Sequence, residues 1–364
     1  MDYTARPLMR ILFATDHIHY PQGGGGAERN THELCLQLKN QSINVAVVCS
    51  LAPRTSWLSL TNRIKRKLHP RLHFPKDSFC GYPVYRGWDN DISEVIHAFR
   101  PNVGVVQSTK PTQLLSTFSE CNIPAACYIH EVEDIAHLKT HAGTVHFLAN
   151  SHFTALRLSE LCGIKASVIF PLIQPTYYKT ECNPSSVLFV NTVQRKGLEI
   201  AFNLAENRPD ISFDFVQSWI LRPNEIASLV KRASACGNIT LHKPTSNMKK
   251  LYARAKLLLV PSLWEEAWGR VVTEAHINGI PVLASNQGGL PESVGPGGIL
   301  LPITSSTARW LEALSTLYDN DSVYLSYSAS ALAYSDREAI KPSVIASALL
   351  TALTTPTMRL PNAG

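Results

Sequence analysis

Twice along the chain, short runs of β-branched and aliphatic residues alternate with stretches whose apolar residues recur every three to four positions. That double series dictates an α/β protein of parallel strands joined by crossover helices. In the first series Arg10–Thr15 reads as a buried strand, Gly23-Gly24-Gly25-Gly26 as a loop, and Ala27, Thr31, Leu34 and Leu38 as one helix face. Val45–Val48, Val103–Val106, Ala125–Ile129, His146–Ala149 and Ser167–Ile169 supply further strands. The stretch from Phe170 to Pro175 holds two prolines and no periodicity, and reads as a connector. The second series begins at strand Val187–Val190, followed by a helix with Leu198, Ala201, Phe202 and Ala205 on one face. Strands are expected at Asp214–Gln217, Ile239–Leu241, Leu257–Pro261 and Pro281–Ala284, and helices at Ala308–Leu317, Val323–Ala333 and Pro342–Leu353. The predicted organisation is two Rossmann-like domains, 1–173 and 174–341, facing each other across a cleft, with the helix near 342–353 packing back on the first. Ligands of open α/β sheets bind at the carboxyl ends of the strands.

The 364 residues suit two domains, and 45% apolar with 17% charged residues is globular composition, too apolar for a disordered chain. No apolar run approaches the ~20 residues of a membrane span, and the hydrophobic stretch at Leu12 meets Asp16 too soon for a signal-peptide core. A cytoplasmic protein is expected. The 8 cysteines include no C-x-x-C pair and several lie in strand-like runs, which suits buried thiols of a reduced compartment. The net charge is +6, and residues 54–73 alone hold six basic residues and no acid. In that segment Leu60, Ile64 and Leu68 fall at i, i+4, i+8 with Trp57 a turn earlier, among Arg54, Arg63, Lys65, Arg66, Lys67 and Arg71. Such a basic amphipathic helix reads as an interfacial segment on an anionic membrane, on the inner face for a cytoplasmic protein, or as a solvated helix meeting a soluble anionic acceptor.

The most informative stretch is PSLWEEAWGRVVTE, residues 261–274. A strand ends at Pro261-Ser262, a loop carries Glu266, Gly269 permits close approach, and Val271 opens a helix that places Glu274 just over a turn inside it. Both carboxylates can face a ligand lying across the helix start, whose free N–H groups from Ala267 to Arg270 suit an anion. Two solvated glutamates would read the same way in isolation.

The wider context carries a resemblance. Glu266-x7-Glu274 within P-S-x3-E-x-W-G-x4-E-A, then Gly279-Ile280-Pro281-Val282 and Gly288-Gly289-Leu290-Pro291-Glu292, resembles the GT4 retaining glycosyltransferases of the GT-B fold. Gly25-Gly26-Ala27-Glu28-Arg29 is similar to that family's N-terminal glycine loop, Ala149-Asn150-Ser151 with Phe153 to the segment that closes its first domain, and Phe189 to Gly197 to the strand and loop of its basic donor residues. The resemblance covers most of the chain. It implies transfer of a sugar from a nucleoside-diphosphate donor, uridine first and guanosine second, to a glycan, lipid-linked or small-molecule acceptor, with the first domain on the acceptor side.

By that resemblance Glu274 binds the ribose hydroxyls, while Glu266 and the N–H groups of Ala267, Trp268, Gly269, Arg270 and Val271 hold the donor sugar and diphosphate. Ala267 and Trp268 stand where the family usually has Gly and Phe. Arg270 is an extra cation that either helps with the diphosphate or points into solvent. Lys196, with Gly197, fits the end of the family's basic motif, and Arg195 or Arg270 replaces its missing earlier arginine, near whose place Thr192 stands. Gly25 and Gly26 allow close approach of the transferred sugar or its phosphate. His130, at the end of an apolar strand, is expected beside that sugar, and His242 near the base. A hexosyltransferase with catalytic residues Glu266, His130, Lys196 and Arg195 follows, in which the departing phosphate takes the acceptor's proton. The resemblance implies no metal or other cofactor, with basic groups in place of the cation; His130, Asp134, His137 and His141 lack the glutamate of a zincin helix. No nucleic-acid partner is expected. Two other readings stay open: a sugar-nucleotide epimerase or phosphorylase on the same fold, and a non-catalytic protein that binds polyanions or membranes through residues 54–73.

Overall fold

The computed structural model of the protein describes residues 9–52, 57–69, 73–87, 91–108, 110–219 and 221–355. Its chain divides into two units, one running up to Leu172 and resumed from Pro342, the other spanning Ile173–Lys341.

The first unit is built on β1 (Arg10–Ile18), β2 (Asn44–Ser50), β3 (Lys76–Asp77), β4 (Val84–Gly87), β5 (Val103–Val106), β6 (Ala125–Ile129), β7 (His146–Ala149) and β8 (Ala166–Val168). Their order in the sheet is β3-β4-β2-β1-β5-β6-β7-β8, parallel throughout except for the β3–β4 pair. A strand covered on both faces has no solvent side to mark with polar residues, and Ile11, Leu12, Phe13 and Ala14 are all fully buried. The sheet reverses direction of growth at β1, and α1 (Gly26–Asn40) begins where the glycine loop leaves that strand. The closing helix Pro342–Leu353 packs against α1 and buries Ile345 and Leu349.

The β3–β4 pair was not among the expected strands. Its middle carries Arg86, fully buried, whose Nε donates to Asp77 Oδ2 at 2.8 Å and whose Nη2 donates to the Tyr20 carbonyl at 2.8 Å. A charged residue argues against a core strand until its partner, nine positions earlier, is known.

The helix α2 (Trp57–Leu68) has its apolar face outward. Trp57, Leu60, Ile64 and Leu68 are 50–71% exposed, whereas the buried positions are Leu58, Ser59 and Asn62. Ser59 accepts from Gln22 Nε2 at 2.9 Å and donates to the Ala52 carbonyl at 3.0 Å, so the helix docks through hydrogen bonds. Phe79, also exposed, meets Trp57 edge-on at 4.4 Å. Arg54 and Arg71 lie outside the described residues.

The second unit contains β9 (Ser186–Val190), β10 (Ser212–Val216), β11 (Ile239–His242), β12 (Ala255–Val260), β13 (Val282–Ser285) and β14 (Gly298–Leu301), all parallel, in the order β11-β10-β9-β12-β13-β14. This is the doubly wound Rossmann order, in which ligand-binding loops leave the two strands flanking the reversal, here β9 and β12. One apolar layer, with Phe202, Phe213, Phe215 and Trp310, covers one face; a second, with Tyr252, Leu258, Val272 and Leu290, covers the other. No described helix is long and apolar enough to cross a membrane.

Candidate functional site

In the second unit the loops after β9 and β12 carry residues 191–197 and 261–269, and they are bonded together: Leu263 N–H donates to the Arg195 carbonyl at 2.9 Å. Gly197 makes this approach possible. Its φ is +82°, and a Cβ there would run into the Pro261 carbonyl. The result is that Lys196 Nζ is ion-paired with Glu266 Oε1, with only 15% and 12% of the two side chains exposed. Ser262 Oγ donates to the same Glu266 oxygen at 3.0 Å.

Two tryptophans that the sequence reading passed over frame this pair. Lys196 Nζ lies 5.4 Å from the Trp219 ring and 5.3 Å from the Trp264 ring, and the Arg195 guanidinium lies 4.1 Å from the latter. Aromatic faces carry partial negative charge and hold cations without neutralising them. Each tryptophan follows the carboxyl end of a strand, β10 and β12, and that placement is the signal that would have found them. Asn191, at φ +76°, accepts from Trp219 N–H at 3.4 Å. Thr192 is 2% exposed and its hydroxyl has no hydrogen-bond partner among the described residues.

The helix after the loop runs Arg270–His276, one residue earlier than expected. Gly269 precedes it at φ +83°, and Ala267 and Trp268 are buried, the indole Nε1 donating to Thr273 Oγ1 at 3.2 Å. Trp268 is thus a core side chain that seats the loop on the helix. Arg270 does not point into solvent. It is 8% exposed, its Nη2 donates to the Tyr178 hydroxyl at 3.1 Å, and its Nε faces Glu274 Oε1 at 3.6 Å. An arginine at i and a glutamate at i+4 share a helix face, and burial of both makes each the other's counter-charge. Glu274, 4% exposed, also accepts from the Tyr252 hydroxyl at 2.7 Å. Val271 is half-buried on the same helix. His242 ends β11 and its Nε2 lies 2.7 Å from Oδ1 of the buried Asp214, which also accepts from Ser186 Oγ at 2.6 Å.

In the first unit, Gly25 caps α1 and its carbonyl accepts from Arg29 N–H at 3.1 Å. The Glu28 carboxyl folds back over Gly25, and burial pushes its pKa up. Gly26 opens the helix and is exposed. His130 follows β6 and its Nε2 lies 2.9 Å from Gln107 Nε2, at the end of β5. The amide and the ring nitrogen are hydrogen-bonded, with the imidazole tautomer setting which of them donates. The Gln107 oxygen accepts from Thr31 of α1 at 2.7 Å, and Asn150 Nδ2 donates to the His130 carbonyl at 3.3 Å. One oriented chain thus joins the glycine-loop helix, His130 and the Ala149-Asn150-Ser151 segment. The other histidines near it are engaged separately, His137 Nδ1 with the Asp134 carbonyl at 2.5 Å and His141 Nε2 with Thr112 Oγ1 at 3.0 Å.

Comparison with known proteins gives these loops a family. Residues 181–331 match the model of the group 1 glycosyl transferases. A D-inositol 3-phosphate glycosyltransferase of Corynebacterium glutamicum is 41% identical over 81 residues, 22% of this chain and 19% of that protein, so the chain spans about a fifth of this curated relative. Among solved structures, Anabaena HepE in complex with UDP and glucose superposes with a TM-score of 0.74 at 18% identity, over 95% of this chain and 99% of that one. The sucrose-phosphate synthase of Thermosynechococcus elongatus reaches 0.76 at 14% identity, over 94% and 98%. At these identities the likeness concerns the fold, the GT-B plan of two Rossmann-like units. A lysine–glutamate pair between two strand ends would suit many chemistries; the sequence match over residues 181–331 places most of the second unit with the group 1 glycosyl transferases.

Proposed function

We propose that the protein transfers a hexosyl group from a nucleoside-diphosphate sugar to an acceptor, with retention at the anomeric carbon and without a divalent metal. The observation that carries this reading is the Lys196–Glu266 pair at the reversal point of the second sheet, with Arg195 beside it on Trp264. A diphosphate entering there takes Lys196 over from Glu266 and frees that carboxylate for the hydroxyls of the sugar. As the anomeric bond breaks, charge builds on the leaving phosphate, and Lys196 and Arg195 stabilise it in a setting screened from water. The departing phosphate oxygen then accepts the acceptor's proton on the same face of the sugar. By the resemblance His130, Gly25 and Gly26 would serve the transferred sugar, and the free hydroxyl of Thr192 is a further donor for the diphosphate.

Glu274 would hold the ribose. Its oxygens serve Tyr252 and Arg270, and a carboxylate is the side chain suited to accept from both hydroxyls of a diol. Uridine is the first choice of base and guanosine the second, with His242 near it. A panel of UDP- and GDP-sugars tests the donor, because a ligand specific for the folded state raises stability by RT ln(1 + [L]/Kd). UDP-sugars are expected to raise Tm and to be turned over with a product of unchanged anomeric configuration. Magnesium and manganese are expected to leave that rate unaltered; stimulation by either would place a cation on the diphosphate in place of Lys196 and Arg195.

The acceptor is a glycan, a lipid-linked or a small molecule, and α2 favours one presented at an anionic membrane by a protein peripheral to its cytoplasmic face. Four large apolar side chains face outward there beside Lys65, Arg66 and Lys67. Each basic group near such a surface contributes about 1 kcal/mol. The protein is expected to sediment with anionic vesicles at low salt, to be released as salt rises, and to lose binding when Lys65, Arg66 and Lys67 are changed to Glu while donor binding persists. Wild-type protein that stays in the supernatant at low salt would point to a soluble acceptor.

A further inference from the structure

Away from the donor loops, the first unit gathers ligating atoms from three distant parts of the sequence. His19 just past β1, His32 on α1 and Cys80 in the turn before β4 bring one nitrogen or sulfur atom each to within 4.8 Å of one another. His19 and Cys80 are 1% and 5% exposed, and His32 is half-buried, so the cluster has one side open to entry. The Tyr82 phenol oxygen lies 2.9 Å from His19 Nε2 and 2.9 Å from His32 Nδ1. The Cys80 thiol donates to the Tyr20 carbonyl at 3.2 Å.

The chemistry of this donor set is specific. Two imidazoles and a thiol suit a borderline-soft ion and not magnesium or calcium, which take oxygen ligands. Two cations act on the cluster: Arg86 is matched by Asp77 at 2.8 Å, and Arg29 acts on His32. In a tetrahedral site with bonds of about 2.0–2.3 Å the ligand atoms stand roughly 3.3–3.7 Å apart. The cluster, with its ligand atoms within 4.8 Å of one another, needs a closure of about one ångström.

We propose that His19, His32 and Cys80 form a zinc-binding site, with the fourth position open to the Tyr82 oxygen or a water. Binding replaces the thiol proton: the Cys80 S–H bond breaks, the thiolate electron pair bonds the metal, and one proton goes to solvent. The metal pins the segment Tyr20–Gly25 to α1, since the Tyr20 ring stacks on His32 at 4.3 Å. Its role is structural, on the glycine loop, and independent of the charge stabilisation assigned to Lys196.

The full chain, stripped of metal with chelator and dialysed, is titrated with cobalt(II). The expected result is a thiolate-to-cobalt charge-transfer band that saturates at about one equivalent and is displaced by zinc. Cys80→Ser abolishes the band, His32→Gln weakens cobalt binding at least about tenfold, and Cys182→Ser, at an exposed thiol, changes nothing. Circular dichroism checks the folding of each variant, and His32→Gln on the helix surface decides if Cys80→Ser fails to fold. Absence of a thiolate band in folded wild-type protein, or a band of equal affinity in either ligand variant, overturns the proposal.

Discussion

Lys196→Ala is expected to lower kcat by about 10²–10³-fold, the loss seen when one preorganised charge-stabilising donor is removed. Glu266→Gln is expected to lower kcat by a similar factor with less change in KM, because in the proposed mechanism the carboxylate, held by Ser262 and Lys196, orients the sugar at the reacting carbon. The two residues touch, so their effects are not independent. The double variant should lose little more than the worse single one, and a product of the two losses would show that they act in separate steps. Lys196→Arg tests point charge against fork: Trp219 and Trp264 flank the ammonium and leave limited room for a planar guanidinium, so a partial rescue, well short of wild type, is expected. The readout is steady-state transfer with each donor, alongside donor affinity by titration.

Glu274→Ala has the second large effect, and it falls on stability as well as binding. Removing one member of a buried ion pair leaves the other charge uncompensated, at a cost of about 3–5 kcal/mol. Arg270, which donates to the Tyr178 hydroxyl, would lose the carboxylate beside its Nε, and the Tyr252 hydroxyl would lose an acceptor. For a unit of this size that is a fall in Tm of roughly 6–20 °C, at about 2–4 °C per kcal/mol. Donor KM should rise with a smaller change in kcat, since ribose contacts are common to ground and transition states. Glu274→Gln keeps an oxygen for Tyr252 and should recover part of the Tm. Calorimetry on the three proteins separates the outcomes; an unchanged Tm in the alanine variant would mean that Arg270 finds another counter-charge.

The double α/β series was legible because parallel strands buried on both faces are written as uninterrupted apolar runs, as at Ile11–Ala14 and Leu257–Val260. The strand at Val84–Gly87 was not, because its arginine is neutralised by a residue outside any local window. The pair Lys196–Glu266 was legible as two motifs but not as a contact, for nothing local says that residues seventy positions apart share an ion pair. Arg270 shows the opposite limit. Its neighbours in sequence suggested phosphate or solvent, whereas the helix places it four residues from Glu274 and under Tyr178. The tryptophans at 219 and 264 and the glutamine at 107 each gain a role only when the strand order brings their loops beside Lys196 or His130.

The crowding at Gly197 sets a boundary on how this protein can diversify. A side chain there meets the Pro261 carbonyl, and Gly288 is hemmed in likewise by the Glu266 backbone, whereas nothing lies within 4 Å of a Cβ at Gly24. Random libraries selected for activity should therefore return glycine at 197 and 288 almost without exception and tolerate many residues at 24. Altered donor preference would have to arise from side chains that border the fixed loops, Trp219 foremost, because the backbone beneath them has no slack in which to drift.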